Sequence, residues 1–170
     1  AKQLADESKF LDASRLIASF LKESPKDPNA WLLASKIYRE MDKYDSALWA
    51  VSKSFDLDDN SSTARLLAIG KAEVKQFEES IKLLEKLEKT DKQSQDKAAT
   101  FNAFGQVYLL KGDTKKAEYY LMQAKEADKK NANIYYSLGE LYYKQSVYEL
   151  AKNNFEEALQ LVPKFTDVRI

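Results

Sequence analysis

The chain has 170 residues, with 27 Lys and Arg against 27 Asp and Glu, so it carries no net charge. That balance excludes a dedicated nucleic-acid binder, which needs a basic excess to meet phosphates. There is no cysteine and no histidine, which removes soft-metal sites, thiol catalysis and imidazole acid–base chemistry and leaves the compartment open.

In chain order, Leu4 to Glu23 reads as most of a helical pair whose opening helix is cut short. Phe10, Ala13, Ile17 and Phe20 lie at helical spacing on its second helix, and Pro25 closes it. Residues 28–60 read as a full pair: Trp31, Ala34-Ser35 and Tyr38 on the first helix, a turn at Asp42-Lys43, then Tyr44, Ala47, Val51 and Ser54 on the second. Asp27 is placed to cap the first helix, with Pro28 in a first turn where its missing N–H costs nothing. Trp31 reads as a core aromatic rather than a ligand group.

Residues 61–97 keep the spacing with weaker groups: Ala64, Leu67-Ala68, Lys71, Phe77, Ser80, Leu84 and Leu87. Glu88 to Lys97, EKTDKQSQDK, is charged and has no apolar face. It reads as a longer helix end plus a solvated loop, the place for local mobility. Residues 98–131 bring Phe101, Phe104-Gly105 and Tyr108, a turn at Lys111-Gly112-Asp113, then Ala117, Leu121 and Ala124. Residues 132–165 bring Tyr135, Leu138-Gly139 and Tyr142, a turn at Gln145-Ser146, then Tyr148, Ala151, Phe155, Ala158 and Leu159, with Pro163 as the stop. The closing KFTDVRI reads as the start of a further first helix.

Tyr135, Leu138-Gly139, Tyr142, Ala151, Phe155, Ala158 and Pro163, in that order and spacing, resemble the tetratricopeptide repeat, a helix–turn–helix of about 34 residues. The resemblance implies an all-α fold, a right-handed superhelical solenoid of tandem repeats. It lays a single domain over residues 1–170: a partial repeat 1–27, repeats 28–60, 61–97, 98–131 and 132–165, and a stub 166–170. The chain opens inside one repeat and stops inside another, which reads as a fragment of a longer array. Phe20 departs from the pattern, standing where a small residue belongs, and so do Ala64, Lys71, Ser80 and Leu87.

In this family the first helices line a concave face, so function is expected on first-helix residues turned from the core. Those are Asn29, Leu32, Leu33, Lys36, Arg39 and Glu40, then Ser62, Arg65, Leu66, Ile69 and Glu73. Asn102, Ala103, Gln106 and Leu110 follow, then Asn133, Tyr136, Ser137, Glu140, Tyr143 and Lys144. The partner-binding set drawn from them is Lys36, Arg39, Arg65, Asn102, Gln106, Tyr136, Glu140, Tyr143 and Lys144. Lys36, Arg39 and Arg65 suit carboxylates; Asn102 and Gln106 suit a peptide backbone; Tyr136 and Tyr143 offer flat apolar area with a polar tip. Some relatives grip a C-terminal carboxylate with Lys, Asn and Arg at fixed positions. Those positions hold Leu32, Lys36, Leu66, Ala99 and Ala103, so that clamp is not expected.

The adjacent acids Asp58-Asp59, Glu78-Glu79 and Glu156-Glu157 point about 100° apart on a helix and cannot share a proton well. No apolar run is long enough to span a bilayer, and AKQLADESKF has no apolar core of the signal-peptide kind. The expectation is a non-enzymatic scaffold that binds a peptide or helix of a protein partner. It has no cofactor, no metal, no nucleic-acid partner and no membrane insertion. The alternative is a structural module that joins other domains or forms a homo-oligomer through its terminal repeats.

Overall fold

The structure is a computed structural model that describes residues 2–161, with side chains from residue 9 onward. Pro163 and the KFTDVRI stub lie outside the described residues. Among the described residues every regular element is an α-helix: α1 Lys2–Glu23, α2 Pro28–Glu40, α3 Tyr44–Leu57, α4 Ser61–Glu73, α5 Phe77–Thr90, α6 Ser94–Lys111, α7 Thr114–Ala127, α8 Ala132–Lys144 and α9 Tyr148–Leu161. The chain divides into two compact units, residues 1–83 and residues 84–170, with the division inside α5.

The helix starts are set by short polar side chains. Asp27 accepts from the N–H groups of Asn29 and Ala30 at 2.9 and 3.3 Å, with Pro28 in the first turn. Asn60, Asp113 and Asn131 accept in the same way from Thr63, Lys116 and Asn133 at 2.9, 3.1 and 3.1 Å. Each such cap satisfies a first-turn donor that the helix itself leaves open.

The turns inside each pair share one device. Asp42, Lys75, Gly112 and Ser146 take positive φ of 56°, 66°, 86° and 62°. The next residue's N–H then reaches back to a carbonyl of the helix just ended: Lys43 to Tyr38, Gln76 to Lys71, Asp113 to Tyr108 and Val147 to Tyr142, at 2.8–2.9 Å. This left-handed stop satisfies carbonyls that would otherwise be orphaned. Only Gly112 adopts it free of the Cβ penalty.

Two expectations meet a different outcome. α1 is one continuous helix through Phe10, so no turn divides a shortened opening helix from its partner; Ala5 to Lys9 contains no glycine or proline to break it. The charged connection is not a long loop either. Only Asp91–Gln93 stay outside the helices, because α6 begins early at Ser94. Two contacts hold this arrangement: Thr100 Oγ1 donates to the buried Asp91 Oδ2 at 2.5 Å, and at the surface Ser94 Oγ donates to the Ala127 carbonyl at 2.7 Å.

Unit 1 packs Ile17, Leu21, Ala30, Ala34 and Ala50 into one cluster, with Trp31, Ile37 and Tyr38 against it. Trp31 is a core aromatic as expected, edge-on to Trp49 at 4.9 Å, and its Nε1 donates to the Pro25 carbonyl at 2.8 Å. Ser80, read as a departure from alanine, is fully buried and donates to the Ala68 carbonyl at 2.6 Å. That bond removes the cost of enclosing a hydroxyl. In unit 2, Phe104, Tyr108 and Tyr120 stack, with Tyr120 4.5 and 5.5 Å from the other two rings. At Gly105 and Gly139 the paired helices leave no room for a side chain: an added Cβ would fall 2.5 Å from Leu121 and 2.5 Å from the Phe155 ring.

Candidate functional site

In unit 1 a small open cleft of about 50 Å³ lies between the first helices α2 and α4, with α3 beneath it. Its apolar floor is Ala47, Val51, Leu66 and Gly70, and its polar rim is Ser35, Lys36, Arg39 and Glu73. The two walls hold the same register positions one repeat apart, since Lys36 answers Gly70 and Arg39 answers Glu73. Gly70, lacking a side chain, lies close against α3, where an added Cβ would meet Val51 and Leu48 at 3.5 and 3.6 Å.

Arg39 Nε donates to Glu73 Oε1 at 2.7 Å, and the Glu73 side chain retains only 11 % of its exposure. Burial pushes the Glu73 carboxyl above its usual range, while the Arg39 guanidinium pulls it back down. Ser35 Oγ donates to the Leu32 carbonyl at 2.8 Å, so its hydroxyl is occupied. Lys36 is exposed and has no ion-pair partner among the described residues. Arg65 is half-buried and has a partner of its own. Of the three cations expected to meet carboxylates, Lys36 and Arg39 share this cleft.

In unit 2 the first helices α6 and α8 are tied to each other. Gln106 Nε2 donates to Ser137 Oγ at 3.1 Å, and Lys144 Nζ to the Leu109 carbonyl at 3.4 Å. Gln106 and Lys144 therefore act first as bonds within the scaffold. Four residues expected to point outward are buried: Ile69, Asn102, Ala103 and Ser137. At Ser137 the small hydroxyl side chain sits under the bond from Gln106 of α6. Asn102 is thus not presented to a peptide backbone, and its Oδ1 has no hydrogen-bond partner.

Tyr136, Tyr143 and Glu140 do not gather in one groove. Tyr136 turns to the outer end of α8 and α9, against Phe155 at 5.5 Å between rings. There it joins Ala132, Asn133, Ala158 and Leu159 around a hollow of about 300 Å³. Tyr143 packs edge-on to Tyr148 at 5.8 Å, both rings largely exposed. Glu140 is half-buried with a partner of its own. Sequence reasoning had Glu73 only among the outward-facing residues. The signal that finds it is opposite charge one repeat after Arg39, because stacked repeats set equal register positions side by side.

The profile of the tetratricopeptide repeat family matches residues 98–131 and 132–165, the pairs that hold Gly105 and Gly139. Residues 98–165 thus carry two repeats of the tetratricopeptide family. The chain's tetratricopeptide fold is shared with solved structures of low sequence identity. A thermophilic tetratricopeptide repeat protein of Thermus thermophilus is 22 % identical, at a TM-score of 0.69, over 97 % of this chain and 89 % of that one. MamA from Desulfovibrio magneticus RS-1 is 15 % identical, at 0.57, over 94 % and 89 %. A chain of the APC/C hetero-tetramer Cut9–Hcn1 is 18 % identical, at 0.65, over 91 % of this chain and 31 % of that one. No curated protein matches the sequence. The tetratricopeptide fold is typically that of a non-enzymatic interaction scaffold. Among the described residues no group of three or more acidic, His or Cys side chains is arranged to hold a metal. No described helix is long and apolar enough to cross a membrane.

Proposed function

We propose that this chain is an interaction scaffold whose unit 1 binds a peptide or helical segment of a protein partner in the α2/α4 cleft. The observation that carries the reading is the pairing of an apolar floor, Leu66 and Gly70 among it, with an exposed Lys36 at the rim. Interaction energy concentrates where a small apolar depression is ringed by polar groups. The unit 2 residues Gln106 and Lys144 support the frame, and Asn102 is dropped from the binding set on its burial. Arg65, Glu140 and Tyr143 stay outside the cleft.

Selection of random displayed peptides on the 170-residue chain tests this reading. Leu66→Trp places an indole in the cleft and is expected to abolish binding of the selected peptides. Circular dichroism checks that the variant keeps its helices. Binding that survives the plug puts the site elsewhere.

A second reading is favoured by a different observation. The outer end of α8 and α9 leaves Leu159 76 % and Tyr136 53 % exposed around the 300 Å³ hollow. An exposed apolar end suits a structural role in which that face joins another domain or a second copy. Sedimentation of wild type and Leu159→Lys separates the readings: a monomer at all concentrations removes the homo-oligomer.

A further inference from the structure

This inference rests on the α2/α4 reading and names what the partner presents there. The charges of the cleft are unevenly spent. Arg39 and Glu73 neutralise one another across 2.7 Å, and the Ser35 hydroxyl is committed to a backbone carbonyl. That leaves one ammonium, Lys36, over an apolar floor and without an ion-pair partner among the described residues. A basic side chain is repelled there, and a purely apolar one covers the ammonium without answering it. A carboxylate gains a charge-assisted hydrogen bond, stronger than a neutral one.

Size narrows the choice. The cleft holds about 50 Å³, and one water-sized group takes roughly 10–15 Å³ on this measure. Room for about four such groups fits a carboxylate with a methylene or so behind it.

We propose that the unit 1 cleft takes an Asp or Glu side chain from within a partner segment. The carboxylate rests on the Lys36 ammonium, and the methylene lies on Leu66 and Gly70.

The test reads the composition of peptides selected on the full chain, displayed once without and once with a free C-terminus. The expected result is one internal position fixed as Asp or Glu in both formats. Synthetic copies of the selected peptides then bind Lys36→Gln on the order of tenfold more weakly, the scale of one charge-assisted bond. Selection on Lys36→Glu exchanges the acidic position for Lys or Arg. Peptides that need a free C-terminus overturn the internal side chain in favour of the terminal carboxylate. Peptides that are blocked by Leu66→Trp yet carry no acidic position overturn this inference and leave the cleft as the site. Peptides unaffected by Leu66→Trp, or no enrichment at all, overturn both.

Discussion

Replacing Gly105 by alanine and, separately, Gly70 by alanine makes one chemical change in two helix interiors with opposite expected outcomes. A Cβ on Gly105 falls 2.5 Å from both Cγ and Cδ2 of Leu121, about 1 Å inside ordinary carbon–carbon contact. Leu121 is fully buried, so it has no open space to move into. Overpacking of this kind costs about 1–3 kcal/mol, against about 1 kcal/mol regained from the better helix propensity of alanine. The net expectation is a loss of about 1 kcal/mol, reaching about 2. At Gly70 the nearest atom to an added Cβ is Val51 Cγ1 at 3.5 Å, an ordinary contact, and the propensity gain stands nearly alone. That substitution stabilises by about 0.5–1 kcal/mol. Thermal melts followed by circular dichroism read the difference, since 1 kcal/mol moves the midpoint by about 2–4 °C in a chain of this size. Gly105→Ala should melt below wild type and Gly70→Ala above it. Equal midpoints for the two variants would refute the claim that Gly105 is required by helix approach. Gly139→Ala meets the Phe155 ring at a similar 2.5 Å, but Phe155 is only half-buried and swings aside, so its loss is smaller.

The Glu73 carboxyl, raised by burial, binds its proton more tightly in the folded chain than in the unfolded one. Its contribution to stability is therefore full below the ordinary glutamate range and lost as pH rises through the raised value. The midpoint of wild type minus that of Glu73→Gln should fall with rising pH across that window; a flat or rising difference contradicts the burial reading. Asn102→Leu removes a buried acceptor with no partner and should raise stability by about 1 kcal/mol, seen as a higher urea midpoint. Thr100→Val takes a donor from the buried Asp91 and should cost about 1–3 kcal/mol, read by the same urea titration. Lys75→Gly relieves a left-handed residue at φ 66° and should raise the melting midpoint by a few degrees.

The helical pairs were legible because every one repeats the same spacing of large and small residues. Tyr135, Gly139, Tyr142 and Ala151 announce a close helix approach, and Gly139 under the Phe155 ring is that approach. The turns were legible for a different reason. Lys111-Gly112-Asp113 carries a residue suited to left-handed backbone, and the same turn recurs at Asp42 and Ser146, where the sequence reading also put it. The Glu88–Lys97 connection, expected as a longer helix end plus a solvated loop, keeps only residues 91–93 outside the helices. A helix end with no apolar face is equally charged, and Ser94 to Lys97 winds into α6.

The binding set was legible only in part, because period alone cannot tell a first-helix residue on the groove from one under the neighbouring helix. Lys36 and Arg39 came out together on the cleft; Asn102 and Ser137 came out buried. Ser137 lies under the bond from Gln106 of α6, a contact between first helices that periodicity does not reveal. Tyr136 went to the end face because it packs on Phe155, a contact between the two helices of one pair.

The account turns on unit 1 receiving a partner segment between its first helices. Amide chemical-shift mapping of the ¹⁵N-labelled chain with a selected peptide tests that most directly. The account predicts shifts clustered at Lys36, Arg39, Leu66, Gly70 and Glu73, with the exposed Trp49 and Leu159 unmoved. Shifts centred on Tyr136, Phe155 and Leu159, with the α2/α4 amides silent, would contradict it.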